Sequence, residues 1–402
     1  MLNLKKDTGL FVLIVVVGTV VALINPLFLS PINIANTANL VGLFGMFSIA
    51  QAFVIITGGI ELSVGSMIAL LGVIFVDLIA NLGVPWPLAV PIVLAIGFLL
   101  GLAHGLLITK KKMQPFVVTL CGLLIYRGVA RFYTQDATAG FPFGVRFEDL
   151  EFITTGRTDL LALATHGAMR SISIPHSFFL MLVLAAVMWV VLHRSVFGRY
   201  LYAVGKNEEA ARFSGIRTDR VVIAAYVICA VLTALSSIFL AMYTRSILPS
   251  SHGNFYELYA IAAAVLGGFS LRGGEGSIVG VVLGTILLQI LQNLVNLLGI
   301  PSSLNFAVSG SVILIGVLAD QEYAQYRQRR ELQRSRLAGL EPAAVTVQQT
   351  AKQPNSRADQ APARSVDIGA PRRLLRCGKK YRKPRSPISQ VGARCAVLAS
   401  HP

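Results

Sequence analysis

The sequence predicts an all-α fold: a polytopic transmembrane helical bundle of about ten spans, with N- and C-termini cytoplasmic and a disordered basic C-terminal tail. Three observations carry this expectation. Hydrophobic residues make up 54% of the 402 and charged residues only 13%, against about 25% charged in soluble domains. Apolar blocks close to the length of a bilayer crossing recur down the chain. Lysines and arginines collect in alternate connections between those blocks, as the positive-inside rule requires.

Lys5 and Lys6 precede an apolar run from Gly9 to Ile24. No small-x-small cleavage pattern follows, only Asn25-Pro26-Leu27-Phe28, so the run reads as an uncleaved first span with its N-terminus inside. Further spans are expected at Thr37 to Thr57, Ser63 to Ala80, Pro87 to Ile108, Pro115 to Tyr133 and His176 to Leu192. Four more follow at Val221 to Tyr243, Leu258 to Leu271, Ser277 to Leu298 and Leu304 to Leu318. Crossing in that order puts Lys110-Lys111-Lys112, the connection from His193 to Arg220, Arg272 and the tail in the cytoplasm. The connections at Asn25 to Asn36, Asn81 to Pro85, Thr134 to Pro175 and Gly299 to Ser303 then fall outside. The Thr134 to Pro175 loop is long for a compact domain, which suits a docking surface for a delivery protein as well as a tolerated insertion.

Residues 1–320 form the expected membrane domain and residues 321–402 a basic tail with a helical start. From Asp320 onward there are 17 Lys and Arg against 6 Asp and Glu, which accounts for most of the net charge of +16. The strong basicity therefore belongs to the tail, where it suits anionic lipid, and no folded nucleic-acid module accompanies it. Cys121 and Cys229 lie in apolar spans, Cys377 and Cys395 in the tail, with no spacing for a metal or a disulfide framework. Neither a cofactor nor a catalytic residue is implied.

The connection from His193 to Arg220 is the long charged stretch between two apolar spans. Asn207 is a good N-cap, Glu208 and Glu209 occupy the first turn, and Gly215 supplies a stop, giving a helix of about two turns. Glu208 and Arg212 stand in the favourable acid-before-base order, Ala210, Ala211 and Phe213 offer apolar contact, and Thr218 and Asp219 read as the next N-cap. So short a helix needs a docking surface.

This stretch, from Gly198 to Ile216, resembles the cytoplasmic coupling loop of the ribose/xylose/arabinose-type permeases, the membrane subunits of bacterial ABC sugar importers. Gly58-Gly59-Ile60-Glu61-Leu62-Ser63-Val64-Gly65-Ser66 resembles the first signature of that family, and Glu257 to Ile300 its long C-terminal one. The likeness covers the chain from near Asn3 to about Asp320. It implies a multi-pass inner-membrane permease that imports a monosaccharide, a ribose-like pentose or deoxyhexose. The implied partners are a cytoplasmic ABC ATPase, a periplasmic or lipid-anchored sugar-binding protein and a second permease subunit, identical or not. Gly198, Arg199, Gly205, Asn207, Glu208, Glu209, Ala210, Ala211, Ser214 and Gly215 would meet the ATPase. The family usually carries Asp where this chain has Glu61, which keeps the charge on a side chain one methylene longer.

Inside the membrane, Glu61 and Ser63 sit in a glycine-rich turn where either can satisfy the N–H groups opening the next helix; an ionisable group there suits a pathway or gate. Gln289, Gln292, Asn293 and Asn296 fall on one helical face. Uncharged amides at that spacing suit a hydroxyl-rich solute, and equally the gluing of helices. Gly58, Gly59, Gly267, Gly268, Gly273 and Gly274 read as hinge or close-packing positions. The glycine-dense region around Arg272 lacks the pattern of a phosphate-binding loop, so the energy must come from another subunit. His104 with Ser63 or Ser66 would make an intramembrane hydrolase pair, but nothing fixes their separation and helix packing explains it better. Among other solutes, branched-chain amino acids would want charge complementarity that the amide stripe lacks. An ion-coupled transporter would show acidic residues mid-span, where only Asp77, near an outer end, is found.

Overall fold

The computed structural model describes residues 4–142, 147–159 and 173–301, with residues 304, 307, 310, 311, 314 and 330 besides. Residues Met1–Arg329 form one compact unit. The expected span from Leu304 to Leu318, apart from those isolated residues, and the tail lie outside the described residues.

Helix α1 (Leu4–Ile24) leads through a single 3-10 turn (Pro26–Leu29) into α2 (Pro31–Ile55). There Ser30 caps by accepting from the Asn33 N–H, and Pro31 occupies the first helical position, where its missing donor costs nothing. Four helices follow: α3 (Val64–Ala80), α4 (Trp86–Lys110), α5 (Pro115–Thr134) and the short outer α6 (Glu148–Thr155). Next come α7 (His176–His193), α8 (Val196–Lys206), α9 (Glu208–Phe213) and α10 (Thr218–Thr244), then α11 (Tyr256–Leu266) and α12 (Ile278–Leu297). Seven helices among the described residues are long and apolar enough to cross a membrane: α1, α2, α4, α5, α7, α10 and α12. Helices α3 and α11 are apolar but shorter. The span expected from Leu258 to Leu271 stops at Leu266 because Gly267 and Gly268 close it, and its 11 residues cover only about 16 Å.

Helices α2 and α10 form the buried centre. Around them, α3 and α4 pack on α10, α5 on α3, α7 on α2, α11 and α12 on α2, and α1 on α12. The most extensive crossing is α4 on α10, where Gly97, Gly101 and Gly105 repeat every fourth residue. A methyl at Gly101 would stand 2.6 Å from the Tyr226 carbonyl oxygen, so only glycine lets the two backbones meet.

Contacts between ends sort the connections into two faces. Lys110 pairs with Asp219 at 2.8 Å, Lys206 with Glu275, and the Ser277 hydroxyl bonds Asp7 at 3.2 Å, so those segments share one face. At the opposite face, β1 (Ala139–Gly140) pairs antiparallel with β4 (Ser246–Ile247). There β2 (Arg157–Asp159) also pairs with β3 (Ser173–Pro175), Thr158 opposite Ile174, and Arg245 binds Glu151 at 2.6 Å. Lysines and arginines crowd the first face, which the positive-inside rule makes cytoplasmic.

After β4 the chain does not stay at the outer surface. A methyl at Gly72 would meet Ile247, while one at Gly65 would come within 2.0 Å of the Gly253 carbonyl oxygen. Residues 248–255 therefore descend along α3 by about 10 Å, as irregular backbone with Pro249 and Gly253 buried and Ser250, Ser251 and Phe255 exposed. Such a segment survives at that depth only with its polar groups satisfied internally. Arg127, twelve residues into α5, does this by donating Nη1 to the carbonyls of Pro249 and His252, both at 2.6 Å.

Candidate functional site

The cytoplasmic connection contains more helix than the sequence suggests. Ser195 caps α8 by accepting from the Gly198 N–H at 3.0 Å, and Gly198, Leu201 and Val204 form its buried stripe. Gly198 packs on the end of α7, where a methyl would stand 1.9 Å from the Leu192 carbonyl oxygen; Arg199 is exposed. The predicted cap at Asn207 is present, its Oδ1 accepting from the Ala210 N–H at 2.9 Å. Arg212 reaches Glu208 at 2.8 Å, Ser214 bonds the Ala210 carbonyl, and Gly215 takes φ +84. Glu208, Glu209 and Ala210 are exposed and Ala211 is buried, with Phe213 91% exposed beside them. The following cap falls on Arg217 rather than Thr218. The Thr218 hydroxyl instead bonds the Glu208 carboxylate at 3.2 Å and so ties α9 to α10.

Three segments far apart in sequence meet where α8 ends. The Gly274 N–H donates to the Ile56 carbonyl at 2.8 Å. Gly205 lies against both groups, since a methyl there would be 1.9 Å from the Ile56 oxygen and 2.4 Å from the Gly274 nitrogen. Gly273 and Gly274 take φ +83 and +72, and Gly58, at +80, faces the Arg272 carbonyl. The Tyr202 hydroxyl donates to the Gly276 carbonyl at 2.7 Å. Burial pushes that phenol up to about 12, so it keeps its proton and remains a donor. The glycines read together in the sequence thus part company. Gly58, Gly273 and Gly274 join Gly205 at this junction, and Gly59 lies beneath the Tyr226 hydroxyl. Gly267 packs on Gly280 in the α11–α12 crossing, and Gly268 turns at φ +91.

Beyond the junction, Glu61 is 1% exposed and entirely engaged. Its Oε1 accepts from the Ser63 N–H at 2.8 Å and the Ser63 hydroxyl at 2.6 Å, so Glu61 rather than Ser63 closes the turn before α3. Its Oε2 lies 2.8 Å from His104 Nδ1, and His104 Nε2 lies 2.8 Å from the Tyr126 hydroxyl. A carboxylate only accepts, so Nδ1 donates to Glu61 and, in the neutral ring, Nε2 accepts from Tyr126. His104 therefore packs, as the sequence suggests, but its polar partner is a residue 43 positions away that periodicity cannot reveal. The sequence reading also missed Arg127, whose signal was plain: an arginine in the middle of an apolar span.

The amide stripe on α12 divides. Asn293 and Asn33 exchange two bonds, at 3.0 and 2.7 Å. Gln292 is half-buried and Asn296 exposed. Gln289 is 2% exposed with its Oε1 unpartnered among the described residues, and on α2 the Gln51 amide is fully buried with neither polar atom bonded. At the outer face, a cavity of about 390 Å³ is lined by Asn39, Glu151, Thr155, Arg157, Pro175, Met242, Tyr243 and Arg245. Ser177 donates to Asn39 Oδ1 at 2.5 Å.

Residues 33–317 match the family described as branched-chain amino acid transport system / permease component. The chain belongs to this permease family. It is therefore a multi-pass membrane transport component. It is 40% identical over 322 residues to the ribose import permease protein RbsC of Bacillus subtilis, covering 80% of this chain and 94% of that one. The ribose import permease protein RbsC of Haemophilus influenzae is 35% identical, covering 77% and 91%. The xylose transport system permease protein XylH of Escherichia coli K12 is 31% identical, covering 73% and 86%. No solved structure matches the chain.

Proposed function

We propose that the protein is the inner-membrane permease of an ABC importer that brings a monosaccharide into the cytoplasm, with residues 1–320 as the working domain. The junction of Gly205 with Ile56 and Gly274 carries this reading. The end of α8, which exposed α9 continues directly, is seated at Gly205, without an intervening side chain, on turns that lead directly into α3 and α12. A push on α9 moves both turns, which is what a permease with no phosphate loop needs from a separate ATPase. Exposed Glu208, Glu209, Ala210 and Phe213 form the surface offered to that subunit. A binding protein would deliver solute to the outer cavity, and a second permease subunit would complete the path. The nucleotide state biases the permease between outward- and inward-open arrangements.

The solute assignment draws on the names of the relatives and on the buried amides. Among the described residues, Gln51 and Gln289 carry unmet hydrogen-bonding capacity without charge, which suits hydroxyls better than a zwitterion. A second reading, branched-chain amino acids, is favoured by the description of the family itself. Uptake of labelled ribose and of labelled leucine, each in cells co-expressing the partner ATPase, separates the two. Uptake that persists when the ATPase carries a dead Walker A lysine would overturn the motor-driven reading altogether. A Gly205→Val chain should insert normally and yet lose at least tenfold in uptake.

A further inference from the structure

The turn Ile56–Ser63 is gripped from two sides. Gly205 and Gly274 hold its first residue on the cytoplasmic side. From within the bundle, Tyr226 of α10 donates to the Ile60 carbonyl at 3.3 Å, and the Thr119 hydroxyl of α5, whose shortest bond is to the Pro115 carbonyl at 3.0 Å, lies 3.3 Å from the same oxygen. His104 of α4 holds Glu61 at 2.8 Å and is itself held by Tyr126 of α5. The His104 ring fits because position 122 is glycine: a methyl there would lie 2.7 Å from Nε2. It also stacks on Tyr126, ring centroids 5.6 Å apart, and meets the edge of Tyr226 at 6.5 Å. Capping α3 needs only Glu61 Oε1 and Ser63, so the second carboxylate oxygen, the imidazole and the phenol exceed what a helix start requires.

We infer that His104 is a positioning residue that makes this turn rigid, so that displacement of α8 and α9 passes to α4 and α5 instead of being absorbed by the glycines at 58 and 59. The inference deepens the transport reading and rests on it for what is transmitted, while the rigidity can be measured on the chain alone. A loop carrying two adjacent glycines yields locally unless its far end is fixed, and a bonded Glu–His–Tyr chain with both acidic and imidazole groups almost fully buried fixes it.

Hydrogen exchange on the full chain purified in detergent tests this. His104→Ala should speed exchange at least fivefold in peptides covering Ile56–Ser63 and also Arg199–Glu208, and leave Leu283–Leu294 of α12, away from the Gly205 junction, unchanged. His104→Gln, which restores a donor, should stay within twofold of the native chain. Should His104→Ala fail to purify, Tyr126→Phe removes only the hydroxyl behind the ring and is read the same way. Loosening confined to Ile56–Ser63, a uniform rise in all peptides, or no change overturns the inference. In cells, His104→Ala should cut labelled ribose uptake about tenfold while ATP hydrolysis by the assembled complex stays within twofold; parallel loss of both contradicts it. If the native chain takes up no ribose, the transport reading fails and the exchange result still decides the role of His104.

Discussion

Two buried polar regions of this permease obey different rules. Around Glu61, His104, Tyr126 and Arg127, carboxylate, ring, hydroxyl and guanidinium are engaged, and they hold the irregular segments Ile56–Ser63 and 248–255 in place. Along α2 and α12, by contrast, Gln51 and Gln289 sit as deeply with amide atoms unpaired among the described residues. An unpaired buried polar group costs about 1–3 kcal/mol, and each one in a native fold calls for an explanation. The first region is closed on itself; the second leaves hydrogen-bonding capacity open among the described residues, which is the capacity that the proposed solute path would use.

The largest effect that can break this contrast is at Arg127. Arg127→Met leaves the carbonyls of Pro249 and His252 inside the bundle without a donor, costing on the order of 2–4 kcal/mol. It should appear as a clear fall in melting temperature in detergent, with fragments released by proteolysis near residues 248–255. A stable Arg127→Met chain would mean that the descending segment does not depend on its clamp, and the first region would lose its structural character.

The amides give the opposite sign. Gln51→Leu and Gln289→Leu remove unmet polar atoms at nearly constant volume, so stability should be unchanged or about 1–2 kcal/mol higher, while uptake of labelled ribose falls about tenfold. Destabilised variants with normal uptake would show that these groups serve packing. That outcome would erase the distinction between the regions.

How much of this was legible beforehand follows from the range of the interactions. Seven helices long and apolar enough to cross a membrane among the described residues, the Asn207 cap and the Glu208–Arg212 pair are set by neighbours within a few residues, and hydropathy, capping and four-residue spacing read such order directly. The α12 stripe was visible as a face, yet spacing places residues around an axis without saying what lies opposite. Only Asn33, 260 positions away, separates the paired Asn293 from Gln289, whose Oε1 has no partner among the described residues. The Glu61–His104 bond, the descent of residues 248–255 and the meeting of Gly205 with Gly274 are likewise contacts between distant segments and leave no periodic trace. Arg127 was the exception, a local signal that went unread.

A smaller effect sharpens the seam itself. Asn293→Ala removes two side-chain hydrogen bonds but leaves Asn33 half-exposed near the outer end, where water replaces them. The expected loss is about 1 kcal/mol, well below that of Arg127→Met, with uptake reduced less than twofold. A loss as large as that of Arg127→Met would place Asn293 with the tightly held cluster and redraw the boundary between the two regions.

The smallest effect lies at the cytoplasmic boundary, where the same kinds of group meet in water. Asp219 receives Lys110 at 2.8 Å, Lys112 at 3.6 Å and Arg212 at 3.7 Å, with both lysine side chains about three-fifths exposed. Exposed pairs contribute about 0.2–1 kcal/mol, and two cations remain when one is removed, so Lys110→Ala should cost less than about 0.5 kcal/mol, within that range. Asp219→Asn should cost more, because it leaves three cations facing one another without their shared partner, and salt should shrink that difference by screening. Melting curves of both variants at low and high salt measure it. If Lys110→Ala alone approached the cost of removing Arg127, burial would not be what separates a strong polar contact from a weak one in this protein, and the contrast drawn between its interior regions would lose its physical basis.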